Sequence, residues 1–151
     1  MRTARRCLVV GALVATAAGA AGCGGADSKP GWLAVNGVEI TANDRLEARA
    51  AGRLLPPRGV FVQSFLAADS PVKRAGVADA GPTRKAVQHS DVIETIDGAT
   101  ATAEMLDYGP LKGHKAGDVV TLHVWAPDGS RRNVQVKLVE DHDSGGGFPG
   151  G

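Results

Sequence analysis

Two runs near the C-terminal end constrain the fold most. Val120, Leu122 and Val124 alternate with Thr121, His123 and Trp125, and further on Val134, Val136 and Leu138 alternate with Asn133, Gln135 and Lys137. A period of two places each apolar set on one face of a pleated strand. Between the runs, Ala126-Pro127-Asp128-Gly129-Ser130 supplies turn residues. The pattern predicts an antiparallel hairpin.

Other segments extend that sheet. Val60 to Phe65 is short and rich in β-branched and aromatic side chains, and Val92 to Ile96 runs into the turn signal Asp97-Gly98. Trp32 to Ile40 reads as a strand interrupted at Asn36-Gly37. Asn43 to Gly52 combines a cap residue, good helix formers and a glycine stop, which predicts a short helix. In Ser70-Pro71-Val72-Lys73-Arg74-Ala75-Gly76, serine at the N-cap, proline at the first helical position and glycine at the exit predict another. Thr102 to Leu111 predicts a third helix, kinked or ended by Gly109-Pro110. Together these describe an α+β fold, a partly open antiparallel β-sandwich or barrel of five to six strands with two to three short helices. No internal repeat or heptad interrupts this reading.

The 151 residues have room for one domain of ordinary size. The N-terminal segment, residues 1–22, carries Arg2, Arg5 and Arg6, then an Ala-, Val- and Gly-rich run, and no acidic residue. A basic start, an apolar stretch of about 15 residues and a small-residue exit predict an export signal rather than a permanent spanning helix, which needs about 20. Ala20-Ala21-Gly22-Cys23 resembles a bacterial lipobox, with Ala20 where a larger aliphatic is usual. That resemblance implies a mature chain beginning at Cys23, its thiol acylated with fatty acid such as palmitate. The alternative is a plain secretory signal with Cys23 a stray thiol. Residues 23–30 read as a flexible tether, 31–140 as the folded domain and 141–151 as a Gly-rich tail unable to bury a core.

Cleavage at that point changes the electrostatics. The precursor carries 17 basic and 16 acidic side chains, a net charge of +1, and loss of the three signal arginines takes the mature chain to −2. No strong basic excess marks a nucleic-acid surface. Cys7 leaves with the signal and Cys23 carries the lipid, so disulfide, thiolate-metal and cysteine-nucleophile chemistry drop out of the folded part. His89, His114, His123 and His142 are dispersed, with no pair at the i, i+4 spacing of a helical zinc motif. No metal or other cofactor is expected. Ser70 reads as a cap, Ser130 as a turn residue and Ser64 as a strand residue, so no serine nucleophile stands out. Trp32 and Trp125 are expected to plug the core, and Arg84-Lys85 and Arg131-Arg132 to be solvated or to meet anionic headgroups.

Four blocks in order, Arg58-Gly59-Val60-Phe61-Val62, Ala68-Asp69-Ser70-Pro71 through Ala75-Gly76-Val77, Ser90-Asp91-Val92-Ile93-Glu94-Thr95-Ile96-Asp97-Gly98, and Gly113-His114-Lys115-Ala116-Gly117-Asp118-Val119-Val120, resemble a PDZ domain. The bacterial type attached to Deg/HtrA-like serine proteases is the most similar, with Ala78 to His89 as a surface insertion. Gly31-Trp32-Leu33-Ala34-Val35 resembles the opening strand of such domains. The resemblance implies binding of protein C-termini or extended peptides by strand addition, with main-chain N–H groups holding the terminal carboxylate. Carried onto this chain, the loop is Arg58, Gly59, Val60 and Phe61, the pairing strand continues through Val62 and Gln63 to Phe65, and Met105 and Leu106 face it from the third helix.

The domain is too short to hold a trypsin-like catalytic half. The sequence therefore points to a non-enzymatic adaptor or scaffold at the bacterial cell envelope, bound to the membrane through its lipid. Its expected partners are peptides and an envelope protease or secretion component. The alternatives are a regulatory or degenerate relative of a Deg/HtrA-type protease, and a purely structural domain whose groove is closed at Gly109-Pro110 or filled by the tail.

Overall fold

The predicted hairpin forms with the register its alternation demands. In the computed structural model, which describes residues 29–81, 89–107 and 111–140, strand β6 (Val119–Trp125) pairs antiparallel with β7 (Arg131–Lys137), Leu122 opposite Val134 and Trp125 opposite Arg131. Ser130 N–H donates to Asp128 Oδ1 at 2.8 Å, closing the turn between them. Residues 1–28, including the expected signal and Cys23, lie outside the described residues, as do Arg84-Lys85, Tyr108 to Pro110 and the tail from Asp141.

In chain order the elements are β1 (Gly31–Trp32), β2 (Val35–Glu39), α1 (Ala42–Ala50), β3 (Val60–Phe65), α2 (Pro71–Arg74), β4 (Val92–Ile96), β5 (Ala99–Thr100), α3 (Ala103–Asp107), then β6, β7 and β8 (Val139–Glu140). Six strands make one antiparallel sheet in the order β2-β3-β4-β6-β7, with β5 on β4, while β1 and β8 pair separately. The result is the α+β arrangement expected, with a sheet that does not close on itself.

Local chemistry explains the helices. Thr41 caps α1 reciprocally: its hydroxyl accepts from Asp44 N–H, and its own N–H donates to Asp44 Oδ2 at 2.8 Å. The helix is thus capped by Thr41 rather than by Asn43. Ser70 precedes α2, with Pro71 at the first helical position, but its side chain makes no capping bond. The hydroxyl instead donates to the Leu33 carbonyl at 3.2 Å, so the reading of Ser70 as a side-chain cap is corrected. The third helix is described only from Ala103 to Asp107.

The first predicted strand is divided differently from expectation. It breaks at Leu33-Ala34, where Ala34 takes φ 55°, and Asn36/Gly37 instead forms a β-bulge within β2. The main core joins Leu33, Val35, Val60, Val62, Ile93, Leu106, Val120, Leu122, Val124 and Val136. Burying each such side chain contributes about 1.5–3 kcal/mol. Trp125 packs with Phe61 and Val92 in a smaller cluster, bearing out its expected structural role.

Candidate peptide-binding site

The strand expected to accept a peptide lies inside the sheet. β3 pairs with β2 along one side, and on the other Val60 and Phe61 pair with Ile93 and Val92 of β4. Ala80 N–H then donates to the Val62 carbonyl at 2.7 Å. Added strands need unpaired backbone groups. Val60, Phe61 and Val62 are therefore removed from the site: their side chains are buried and their backbones engaged. Gly59 is buried too, and its carbonyl accepts from Ile40 N–H at 3.0 Å. Gln63 is half-buried and its side-chain oxygen accepts from Asn36 Nδ2 at 3.3 Å. Arg58 remains exposed.

The end of the sheet is β2, and α3 packs beside it. Leu106 of α3 is fully buried, and a Cβ built on Gly37 of β2 would lie 3.0 Å from Leu106 Cδ1. Only a glycine permits that approach. Met105, half-buried against the core, stands on the same short helix. Leu106 thus packs on β2 at Gly37 and shares the core with Val60 and Val62 of β3.

Immediately before β2, the chain passes through Leu33 and Ala34, both almost completely buried. The carbonyls of these residues are turned into the protein: Leu33 O accepts from Ser70 Oγ, and Ala34 O from Leu66 N–H at 2.9 Å. No described residue accepts the N–H of either. Two adjacent buried donors call for an acceptor, since a buried unpaired N–H costs about 1–3 kcal/mol. The segment is flanked by Gly31, whose N–H donates to His114 O and whose carbonyl accepts from Leu111 N–H just beyond α3. A loop with two donors, an edge strand and a helix beside it therefore adjoin one another.

At the far end of β2 lies a cleft of about 330 Å³, lined by Glu39, Ile40, Pro57, Arg58, Gly59 and Thr100 to Thr102. On the outer face of the sheet lies a polar feature the sequence did not disclose. Between Ile93 and Thr95 a bulge shifts the β4–β6 register, and Glu94 Oε2 there lies 2.7 Å from His123 Nδ1 and accepts from Trp125 Nε1 at 2.9 Å. The guanidinium of Arg131 sits 3.9 Å above the Trp125 ring. Bulges re-aim side chains in this way. No spacing rule would have joined Glu94 to residues 29 and 31 positions later. Among the described residues, no group of three or more metal-ligating side chains comes together, and no helix is long and apolar enough to cross a membrane.

The fold is shared with part of larger enzymes. A variant form of the HtrA-type protease AlgW with decapeptide is 20% identical over 82% of this chain and 32% of that one, with a TM-score of 0.55. HtrA-type protease AlgW with decapeptide is 20% identical over 75% of this chain and 30% of that one, with a TM-score of 0.53. The chain thus spans about a third of the length of these proteases, and the likeness is one of fold. No protein-family model and no curated protein matches the sequence.

Proposed function

We propose that this chain is a PDZ-type peptide-binding module that takes protein C-termini or extended segments by strand addition on β2. The observation that carries the reading is the pair of buried N–H groups at Leu33 and Ala34, directly ahead of an edge strand and beside α3. A terminal carboxylate satisfies both donors, the ligand backbone adds to β2, and its last side chain points toward α3. Each new main-chain hydrogen bond contributes about 0.5–1.5 kcal/mol, and peptide ordering offsets much of the total. Binding is reversible and of about micromolar strength. The module acts by binding rather than catalysis, as an adaptor for an envelope protease or secretion component.

The test is fluorescence anisotropy with a library of C-terminal peptides, each in free-acid and amidated form, followed by amide chemical-shift mapping. Free acids should bind more tightly, with the largest shifts at Leu33 to Glu39. Equal binding of both forms, or shifts centred on Phe61 to Phe65, would overturn the assignment.

We also propose that Cys23 is acylated and holds the module at the bacterial envelope, a reading supported by the basic and apolar segment ahead of it. Cys23→Ser expressed with a labelled fatty acid should lose the label. Retained label would exclude this site.

A further inference from the structure

We infer that the cleft at the far end of β2 selects an acidic residue in the ligand, about four or five positions before its C-terminus, and that Arg58 is the residue that reads it. The inference rests on the binding mode proposed above. With the carboxylate at Leu33-Ala34 and the ligand antiparallel to β2, each residue moves the ligand about 3.3 Å toward Glu39 and Ile40. Those two residues form one wall of the cleft, and Thr100 to Thr102, leading into α3, form the other. The cleft therefore continues the groove and receives the ligand's upstream residues.

Its charge is set by Arg58 and Glu39 in the lining, with Arg45 behind the loop. Arg58 is exposed, and among the described residues its guanidinium has no hydrogen-bond or ion-pair partner. Arg45 of α1 donates from Nη1 to the Pro57 carbonyl at 3.1 Å, which fixes a second guanidinium against the loop that lines the cleft. The carboxylate of Glu39, in the wall itself, accepts from Ala103 N–H at 3.3 Å and is directed at the start of α3. A ligand carboxylate entering here meets the exposed Arg58, with Arg45 held behind the Pro57 carbonyl, and one acid, Glu39, whose carboxylate is turned toward Ala103 N–H. A ligand lysine meets the same Arg58 and is repelled by it.

The experiment compares free-acid peptides that are identical except for Glu or Lys at the fourth and fifth positions upstream, on the native protein, Arg58→Gln and Arg58→Glu. The exposed geometry of the pair sets the expected size: native protein should favour the Glu peptide by about three- to fivefold. Arg58→Gln should abolish most of that preference, Arg58→Glu should reverse it, and raised salt should flatten it in every form. Circular dichroism confirms that the variants fold. An unchanged preference in both Arg58 variants, or no preference in the native protein, overturns the role of Arg58 while leaving the peptide site intact. If neither peptide binds any form, the binding mode itself is wrong and this inference falls with it.

Discussion

Oε2 of Glu94 lies 2.7 Å from Nδ1 of His123, and the same oxygen receives the indole N–H of Trp125. One carboxylate oxygen thus ties together two side chains of β6. Glu94→Ala leaves a nearly buried indole N–H and an imidazole nitrogen without their acceptor, and is expected to cost about 1–3 kcal/mol. Glu94→Gln keeps an acceptor and should cost less. Urea denaturation followed by tryptophan fluorescence measures both; an alanine variant as stable as the parent would show that the bonds contribute nothing.

Ser90 presents the opposite case. It is completely buried, and its hydroxyl has no hydrogen-bond partner among the described residues. Ser90→Ala removes that unmet group at almost constant volume, so the variant should match or exceed the parent, by up to about 1 kcal/mol. A clear fall in thermal midpoint would mean that the hydroxyl has a partner.

Gly59 adopts φ 144°, and a Cβ there would lie 2.9 Å from both the Ile93 carbonyl oxygen and Val92 Cγ1. Neither space nor backbone conformation admits alanine. Gly59→Ala should destabilise by about 1–3 kcal/mol or more, read as a drop in denaturation midpoint. Because Gly59 also takes the Ile40 N–H, amide exchange at Ile40 should quicken in the same variant.

The hairpin turn carries a pH signature. Hydrogen bonds from the Ser130 hydroxyl and then from its backbone N–H hold the Asp128 carboxyl below the usual aspartate range. A carboxyl with its folded pKa lowered stabilises the fold fully above the ordinary aspartate value, and that contribution disappears as pH falls through the lowered one. An NMR titration of the Asp128 carboxyl should give a midpoint below that of an unstructured aspartate. In Ser130→Ala the midpoint should rise toward the ordinary value. A midpoint unmoved by that substitution would assign the shift to another cause.

The legible and illegible parts of this chain divide along a physical line. Alternation in β6 and β7 disclosed the hairpin, because period two fixes the facing of each side chain and the five-residue turn fixes which ones meet. Which strand ends the sheet was not legible in the same way. Val60-Phe61-Val62 reads as continuously apolar because it is covered on both faces and flanked on both edges, which leaves it no free edge for an added strand. The edge strand β2 reads weakly, with Asn36-Gly37 in its middle, since it needs a glycine where α3 packs and a bulge to turn its edge. Sheet order depends on pairings distant in sequence, such as Val35 with Phe65, and no local pattern reports it. Arg58, read from the sequence as part of a carboxylate loop ahead of β3, lines the cleft at the far end of β2 instead.

Gly31 and Glu140 face each other across the β1–β8 pair, with Trp32 opposite Val139 and Lys29 in an ion pair with Glu140. Cross-strand partners of this kind have Cα atoms about 5 Å apart. The folded unit is therefore a cassette whose two ends meet, and a linker of a few glycines from residue 140 to residue 31 would close it into a ring. Reopened at the exposed Asp128-Gly129 turn, the ring becomes a circular permutant with the same sheet order and the same β2 edge, its attachment point moved to the opposite end of the β6–β7 hairpin.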